Sequence, residues 1–269
     1  MKRPLSHQLQ DFVKSSVWLA SALKKANAYK TRDISVLDIF TYLLQLVYTK
    51  KSMYMNILTG THKSNFAKDA VYRLLNSPFI NWSAFLLNLA ACIIINKVAG
   101  LTSENRLNAI VVDDTLQNRD RSTQVELLTR VYNHTEKGAK YIRGFRPLTL
   151  GWTDGCTFIP LIFRHLSSED KRNRYVEINS KIDKRSCGYK ERMQAITPAP
   201  KVLVQLLKQV VRAGIPAKHV LMDCWFAFPT TIIDIGNLGL NVVARLKKTW
   251  KVKYLLNGEK KQYVKYIQR

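Results

Sequence analysis

Two aspartates lie in apolar runs of the kind that form buried strands. Asp113 belongs to the run AIVVDDT and Asp223 to the run HVLMDCW. Two carboxylates held a few ångströms apart repel each other and make a strong site for a hard divalent cation. Two such ions about 3.5–4 Å apart suit in-line attack on a phosphodiester. The pair therefore predicts metal-dependent phosphodiester chemistry, provided that the fold brings the two runs together.

The residue after Asp113 is also an aspartate. Side chains alternate between the two faces of a strand, so Asp113 and Asp114 point in opposite directions. Only one of them can then be a metal ligand. We expect the other to face solvent or to bind the backbone.

The charge of the chain indicates a polyanionic partner. Its 269 residues include 43 Lys and Arg against 19 Asp and Glu, which gives a net charge of +24. DNA, RNA and anionic membrane are the candidates. Nucleic acid is favoured because the charge is spread over both halves of the chain instead of forming one tail.

Two segments concentrate residues that could follow a phosphate backbone. One is a short helix that follows Gly60 in a helix-turn-helix-like arrangement, and the other is residues 168–197, which have few apolar anchors. A solvated surface is the alternative interpretation of both. The predicted DNA-binding residues are Ser64, Asn65, Lys68 and Arg73 in the first segment and Lys171, Arg172, Arg174, Lys184, Arg185, Lys190 and Arg192 in the second.

Cysteine spacing and apolar length predict a reducing, aqueous compartment. The four cysteines are far apart and form no zinc spacing with the histidines, so free thiols in the cytoplasm are expected. The most apolar stretch, residues 85–95, is too short to span a bilayer and predicts a buried helix. We therefore expect no membrane partner.

Trp152, Trp225 and Trp250 could stack on a flipped base, although core packing is favoured for each.

The periodicity changes from helical to strand-like near residue 108. Before it, apolar residues recur at three and four, which predicts helices over 36–47, 69–75 and 81–98. After it, the order is three strands, helix, strand, helix, strand, and an Asp-Gly pair at 154–155 marks a hairpin. The first three strands should be antiparallel and the last two parallel to the first. This order predicts a ribonuclease-H-like mixed α+β sheet preceded by an all-α N-terminal domain. The predicted strands are 109–112, 147–152, 157–163, 219–222 and 240–246, with helices over 198–212 and 229–235.

Several stretches from about residue 60 onward resemble the DDE transposases of bacterial insertion sequences, in the insertion-sequence-four group. They are KDAVYRLLN, VVDDT, YNHTEKGAKYIRGFRPLTLGWTDGCTFIPL, KIDKRSCGYKER, HVLMDCWFA and NVVARLKKT. The family's Asp-x-Thr motif matches Asp113, Asp114 and Thr115, which selects Asp113 as the ligand. Its second acid matches Asp223.

The resemblance implies the remaining expectations. It implies DNA strand cleavage and transfer with two Mg²⁺ or Mn²⁺ ions, on double-stranded DNA with terminal inverted repeats and a target, by a homodimer in the bacterial nucleoid. The implied domains are a DNA-binding helical domain over 1–104, a catalytic domain over 105–249 and the start of a β-rich insertion over 250–269.

The family's third acid is a glutamate on a later helix, in a Tyr…Arg…Glu…Lys signature. Neither Asp234 nor Glu259 matches that motif, so we expect a C-terminally truncated enzyme that is inactive alone. The alternative is a non-catalytic DNA-binding fragment that dampens transposition. A junction resolvase is less favoured because it needs four well-placed acids.

Overall fold

The chain forms two compact units. The structure, a computed structural model, describes residues 11, 13, 16–29, 34–59, 66–103, 105–134, 140–245, 254–256 and 259–261. One unit comprises Met1–Leu89 together with Lys181–Lys190, and the other comprises Ala90–Ser180 together with Glu191–Arg269. The sequence places a boundary at residue 104, which lies inside the second of these units.

The first unit is helical in its described residues. Its helices are α1 (Val17–Lys25), α2 (Val36–Thr49), α3 (Met53–Leu58), α4 (Lys68–Leu75) and the beginning of α5 (Trp82–Ile93). Helix α2 begins at Ser35, whose hydroxyl oxygen accepts from the backbone N–H of Leu37 at 3.2 Å. Its buried residues, Val36, Ile39, Thr41, Tyr42 and Leu46, recur at helical spacing, although Val47, which also belongs to the apolar repeat of 36–47, is 73% exposed. The all-α N-terminal region is therefore confirmed.

Helix α5 continues beyond its α-helical part. A π-helical turn (Ile94–Val98) and a 3₁₀ turn (Ala99–Leu101) extend it to 20 residues, Trp82–Leu101. By length and composition alone, this helix could cross a membrane, because the apolar character extends past residue 95. A core helix satisfies the same criteria, so the helix is weak support for membrane association.

The second unit is built on a mixed sheet with the predicted topology. The central strand order is β5 (Phe158–Leu166), β4 (Tyr141–Thr153), β1 (Ala109–Asp114), β6 (His219–Met222) and β7 (Asn241–Ala244). The pairs β1–β4 and β4–β5 are antiparallel, whereas β1–β6 and β6–β7 are parallel. Numbered along this core, the order is 3-2-1-4-5, which is the ribonuclease-H-like arrangement.

Two helices pack against this sheet. Helix α6 (Cys187–Ala195) precedes α7 (Ala199–Arg212), which packs on β4 and β5, and α8 (Pro229–Gly236) packs on α7 and β7. Trp152 on β4 is 0% exposed, and its Nε1 donates to the carbonyl oxygen of Pro216 at 2.8 Å. The prediction of core packing is therefore confirmed for Trp152 and wrong for Trp225, which is 51% exposed, whereas Trp250 lies outside the described residues.

The β4–β5 hairpin turns where the Asp-Gly pair predicts. Gly155 has φ +91°, a left-handed conformation that glycine adopts without strain. Oδ1 of Asp154 accepts from the backbone N–H groups of Thr157 at 2.7 Å and Cys156 at 3.0 Å. These two bonds, with smaller contributions from Thr102 and Arg106, hold the pKa of Asp154 below its ordinary value.

Two sequence interpretations differ from the structure. The sequence predicts no strand between residues 112 and 147, yet this stretch contains β2 (Gln117–Asn118), β3 (Thr129–Tyr132) and the beginning of β4. Residues 168–197 are not one loop, because they contain a 3₁₀ turn (Lys171–Asn173) and α6. Leu127, Leu128 and Phe145 of the first stretch pack with Ala195 of the second, and together they form a small separate core.

Residues 249–267 alternate in polarity and contain Asn257-Gly258, which predicts a further hairpin, and their described part forms two short strands. Strands β8 (Tyr254–Leu256) and β9 (Glu259–Lys261) pair antiparallel, with Leu256 opposite Glu259. This register leaves the two-residue connection that the Asn-Gly pair predicts.

Candidate active site at the ends of strands β1 and β6

The parallel register between β1 and β6 places the two aspartates side by side. Val111 pairs with Leu221 and Val112 with Met222, so the next position on each chain is Asp113 and Asp223. Neighbouring strands lie about 4.8 Å apart, and residues in register project from the same face. Both aspartates are exposed. Two residues 110 positions apart in the sequence thus reach one edge of the sheet.

The two carboxylates are oriented in the same way. Oδ1 of Asp113 accepts from the backbone N–H of Asp114 at 2.8 Å, and Oδ1 of Asp223 accepts from that of Cys224 at 2.6 Å. Each carboxylate is therefore fixed by its own chain. Its second oxygen makes no hydrogen bond to the described part of the chain.

This donor set fits a hard divalent cation. Carboxylate oxygens are the ligands that Mg²⁺ and Mn²⁺ accept, and Mg²⁺ is often held by one or two carboxylates while water and substrate phosphate complete its shell. Asp113 and Asp223 would hold such an ion. Within the described residues, no group of three or more His, Cys, Asp or Glu side chains gathers here or elsewhere.

Asp114 occupies the opposite face of β1, as strand alternation predicts. Its Oδ2 lies 2.7 Å from Nε of Arg146, with side-chain exposures of 14% and 26% respectively. The contact is an ion pair without hydrogen-bond alignment. We expected Asp114 to face solvent or to bind the backbone, so this side-chain partner is a difference from the sequence interpretation.

The other acids named from the sequence do not join the pair. Asp234 is exposed on α8, the helix between β6 and β7. Glu259 begins β9, and its side chain lies outside the described residues.

The predicted helix-turn-helix residues are only partly described. Ser64 and Asn65 lie outside the described residues. Lys68 and Arg73 are exposed at opposite ends of α4, and Nε of Arg73 donates to the carbonyl oxygen of Asp69 at 3.3 Å. Both cations are thus available to a polyanion.

The basic residues of 168–197 fall into different environments. Arg172 and Arg185 are exposed beside Asp170 and Asp183, and hydrogen bonds from Arg172 lower the pKa of Asp170 to about 2. Lys171 is exposed in the same turn as Arg172.

Arg174 differs from these because its side chain is 2% exposed. It donates to Glu177 and to the carbonyl oxygens of Ser168 and Glu169, which holds the loop together.

The remaining basic residues divide between the two units. Lys184, Arg185 and Lys190 belong to the helical unit, where Gly188 anchors their segment by donating to the carbonyl oxygen of Pro78 at 2.8 Å. Arg192 belongs to the second unit and pairs with Glu126 at 2.6 Å. The seven cations predicted for one loop therefore do not form a single surface in one unit.

A pocket of about 540 Å³ lies elsewhere in the second unit. Its lining includes Phe145, His165 and the ion pairs Arg164–Glu191 (2.9 Å) and Arg192–Glu126. Burial, reinforced by Arg119 and Arg164, lowers the pKa of His165 below its ordinary value. Two of its arginines are already neutralised, so the pocket does not offer a strong anion site.

Sequence reasoning missed an aromatic surface next to the carboxylates. Tyr132, His134 and Tyr141 are exposed, and the ring of His134 lies 6.4 Å from that of Trp225, two residues after Asp223. The alternating residues of 129–132 (TRVY) and 141–143 (YIR) form a pattern from which a two-stranded ribbon with one exposed face could have been predicted.

The chain matches one family of known proteins over most of its length. Residues 39–254 match the family described as DDE superfamily endonuclease, which covers most of the chain. The chain therefore belongs to the DDE superfamily of endonucleases, and the predicted resemblance is confirmed at that level. No curated protein sequence matches the chain.

Two solved transposase structures are similar to the chain. The Drosophila P element transposase strand transfer complex matches with a TM-score of 0.39 and 10% identity, covering 96% of this chain and 53% of that one. The piggyBac transposase synaptic complex with hairpin DNA matches with a TM-score of 0.33 and 14% identity, covering 91% and 43%. The chain thus spans about half the length of these structures.

Proposed function

We propose that this chain takes part in transposase-type DNA strand cleavage and transfer at the ends of an insertion sequence of the insertion-sequence-four group. The observation that carries the proposal is the register that sets Asp113 beside Asp223 at one sheet edge. The chain belongs to the DDE superfamily, so the two aspartates are the residues expected to bind its metal ion. Its net charge of +24 favours DNA as the substrate.

The roles of the site residues follow from their contacts. Asp113 and Asp223 are the residues that would hold Mg²⁺ or Mn²⁺, since the backbone N–H groups occupy only one oxygen of each carboxylate. A metal ion bound there would supply activation of the attacking water or 3′-hydroxyl and charge stabilisation at the leaving oxygen. Arg146 engages Asp114 on the other face and keeps that carboxylate out of the site.

A third carboxylate is needed to complete this site. The family resemblance implies three acids, and the described residues bring only two together. A missing ligand weakens the second metal position, and metal and electrostatic stabilisation supply most of the rate. We propose that the 269-residue chain on its own binds DNA and does little or no strand cleavage.

The partner in this proposal is double-stranded DNA, as terminal inverted repeats and as target, bound by a homodimer in the bacterial nucleoid. Lys68 and Arg73 on α4 contact one phosphate backbone. The exposed cations Lys171, Arg172, Lys184, Arg185 and Lys190 contact others. Arg174 and Arg192 position their segments through Glu177 and Glu126.

A second candidate function is a non-catalytic DNA-binding protein that dampens transposition. The observation that favours it is the combination of strong positive charge with only two gathered acids in the described residues. Such a protein would occupy the repeats without cutting them.

One experiment separates these functions. A supercoiled plasmid carrying the DNA that flanks the reading frame on both sides is incubated with Mg²⁺ or Mn²⁺ and the protein. The protein is either this chain or a longer product that reads into the downstream frame. We expect the longer product to nick the plasmid and this chain to bind it with little nicking.

Three variants of the longer product complete the test. Asp113→Asn and Asp223→Asn should abolish nicking and retain DNA binding, whereas Asp234→Asn, an exposed carboxylate on α8, should retain both. Nicking that survives in either of the first two variants would contradict the catalytic assignment. Strong nicking by the 269-residue chain would contradict only its proposed incompleteness.

A further inference from the structure

An exposed row of aromatic rings begins beside the carboxylate pair. Trp225, two residues after Asp223, lies 6.4 Å from the ring of His134, which lies 4.6 Å from the ring of Tyr132. Tyr132 lies 5.5 Å from Tyr141, and the guanidinium carbon of Arg130 sits 4.0 Å above the Tyr141 ring. We call Trp225, His134, Tyr132, Tyr141 and Arg130 the aromatic row.

The row is exposed because of the way β3 and β4 pair. Tyr132 is directly opposite Tyr141, and Arg130 is directly opposite Arg143. Strand alternation puts these four side chains on one face of the ribbon, while Val131 is buried on the other. Tyr132 is 45% exposed, and Tyr141 and Trp225 are each 51% exposed. Burial of apolar surface therefore does not account for these rings.

The charge of the same face points to an anion. Like charges placed directly opposite each other on paired strands destabilise the pairing. Arg130 and Arg143 are such a pair, and neither has an acidic partner within salt-bridge distance among the described residues. Instead, each lies over a tyrosine ring, Arg130 over Tyr141 and Arg143 over Tyr175 at 4.9 Å. A polyanion that follows the ribbon would relieve this repulsion.

The row is held close to the carboxylates by a chain of polar contacts. Arg146 pairs with Asp114 at 2.7 Å, and its Nη1 lies 3.2 Å from Nε2 of His134. The aspartate adjacent to Asp113 thus fixes the ring that links Trp225 to Tyr132. These contacts therefore determine where the aromatic row lies relative to the two carboxylates.

We propose that the aromatic row binds the unpaired bases of a DNA strand that enters or leaves the site at Asp113 and Asp223. Aromatic faces stack on bases of any sequence, and interleaved arginines neutralise the phosphates. A duplex hides its base faces, so only unpaired nucleotides can use both features. The proposal rests on the proposed function in one respect, namely that the chain binds DNA.

The test measures binding without cleavage. Fluorescence anisotropy follows a labelled oligothymidylate of about 20 nucleotides, and a duplex of the same length, over a series of salt concentrations. The double variant Tyr132→Ala/Tyr141→Ala should weaken oligothymidylate binding roughly tenfold or more. Its salt dependence should stay unchanged, because no charge is removed. Duplex binding should change less than about twofold.

Two control variants exclude a merely structural effect. Tyr132→Phe/Tyr141→Phe keeps the rings and should bind like the unchanged protein. Tyr48→Ala removes a tyrosine that is 58% exposed on α2, outside the row, and should also bind normally. A single 2-aminopurine in the oligonucleotide reports stacking directly, and its fluorescence should be quenched by the unchanged protein and the Phe variant only.

Several outcomes would overturn the proposal. They are equal losses for single strand and duplex, no loss in the Ala variant, or a loss in the Phe variant as large as in the Ala variant. Asp234→Asn, which changes an exposed carboxylate on α8 outside the row, should bind oligothymidylate normally. If the unchanged protein binds neither form of DNA, both this inference and the proposed function fall.

Discussion

Nε of Arg146 lies 2.7 Å from Oδ2 of Asp114, on the face of β1 opposite Asp113. This ion pair decides which of two adjacent aspartates is available to a metal. Asp114 is engaged and 14% exposed, whereas Asp113 is exposed and keeps one oxygen without a described partner. The choice between them follows from strand alternation and one arginine.

The first prediction concerns this ion pair. Asp114→Asn removes one charge and leaves the partly buried guanidinium without its counterion, so it should lower the free energy of unfolding by about 1–3 kcal/mol. Urea denaturation measures the loss. Metal binding should be retained in this variant and weakened in Asp113→Asn. Weaker metal binding in Asp114→Asn than in Asp113→Asn would mean that the ligand is misassigned.

A second prediction concerns the close approach of β2 to β4. A Cβ atom at Gly144 would collide with the backbone carbonyl of Gln117, which cannot move without breaking the pairing. Gly144→Ala should therefore cost about 1–3 kcal/mol of stability. Gly236→Ala is the matched control, since a Cβ there meets no atom within 4 Å. Equal stabilities of the two variants in thermal denaturation would refute the predicted clash.

A third prediction contrasts two tryptophans. Trp152→Phe leaves a cavity in the core and leaves the carbonyl oxygen of Pro216 without its donor, so about 2–4 kcal/mol should be lost. Trp225→Phe alters a ring that is 51% exposed and should cost less than about 0.5 kcal/mol. Chemical denaturation of both variants checks the difference. A larger loss of stability in Trp225→Phe than in Trp152→Phe would contradict the assignment of Trp152 as buried and Trp225 as exposed.

A fourth prediction concerns pH. The pKa of His165 is lowered from 6.5 on folding, chiefly by burial. As pH falls below 6.5, the unfolded chain therefore takes up this proton more readily than the folded chain, and stability decreases. His165→Gln should reduce the drop in melting temperature between about pH 7.5 and about pH 5.5.

The control for the pH prediction is a second uncharged replacement at the same position. His165→Asn should reduce the drop as His165→Gln does, because either change removes the same titrating group. A larger drop in His165→Gln than in the unchanged protein would contradict the sign of the effect.

The sheet core was predictable because its signals are local. Each signal involves residues that are close together in the sequence. The signals are the apolar runs that end in Asp113 and Asp223, the Asp154-Gly155 turn and the helical period of 199–212. Together with chain order, they fix the 3-2-1-4-5 topology and bring the two carboxylates to one edge.

What the sequence did not predict depends on long-range contacts. Segment 181–190 joins the helical unit through Gly188 and Pro78, residues far apart in sequence with no local signature. Strand β3 alternates buried and exposed residues over only four positions, TRVY, and its exposed arginine and tyrosine resemble a solvated stretch. The aromatic row was missed for the same reason.

The central claim is that Asp113 and Asp223 chelate the same metal, and anomalous diffraction from crystals soaked in Mn²⁺ tests it most directly. We predict an anomalous peak about 2.0–2.4 Å from one oxygen of each carboxylate. The peak should be absent from crystals of Asp223→Asn. Manganese bound to only one of the two aspartates, or carboxylates separated by more than about a nanometre, beyond any shared bimetal centre, would contradict the account.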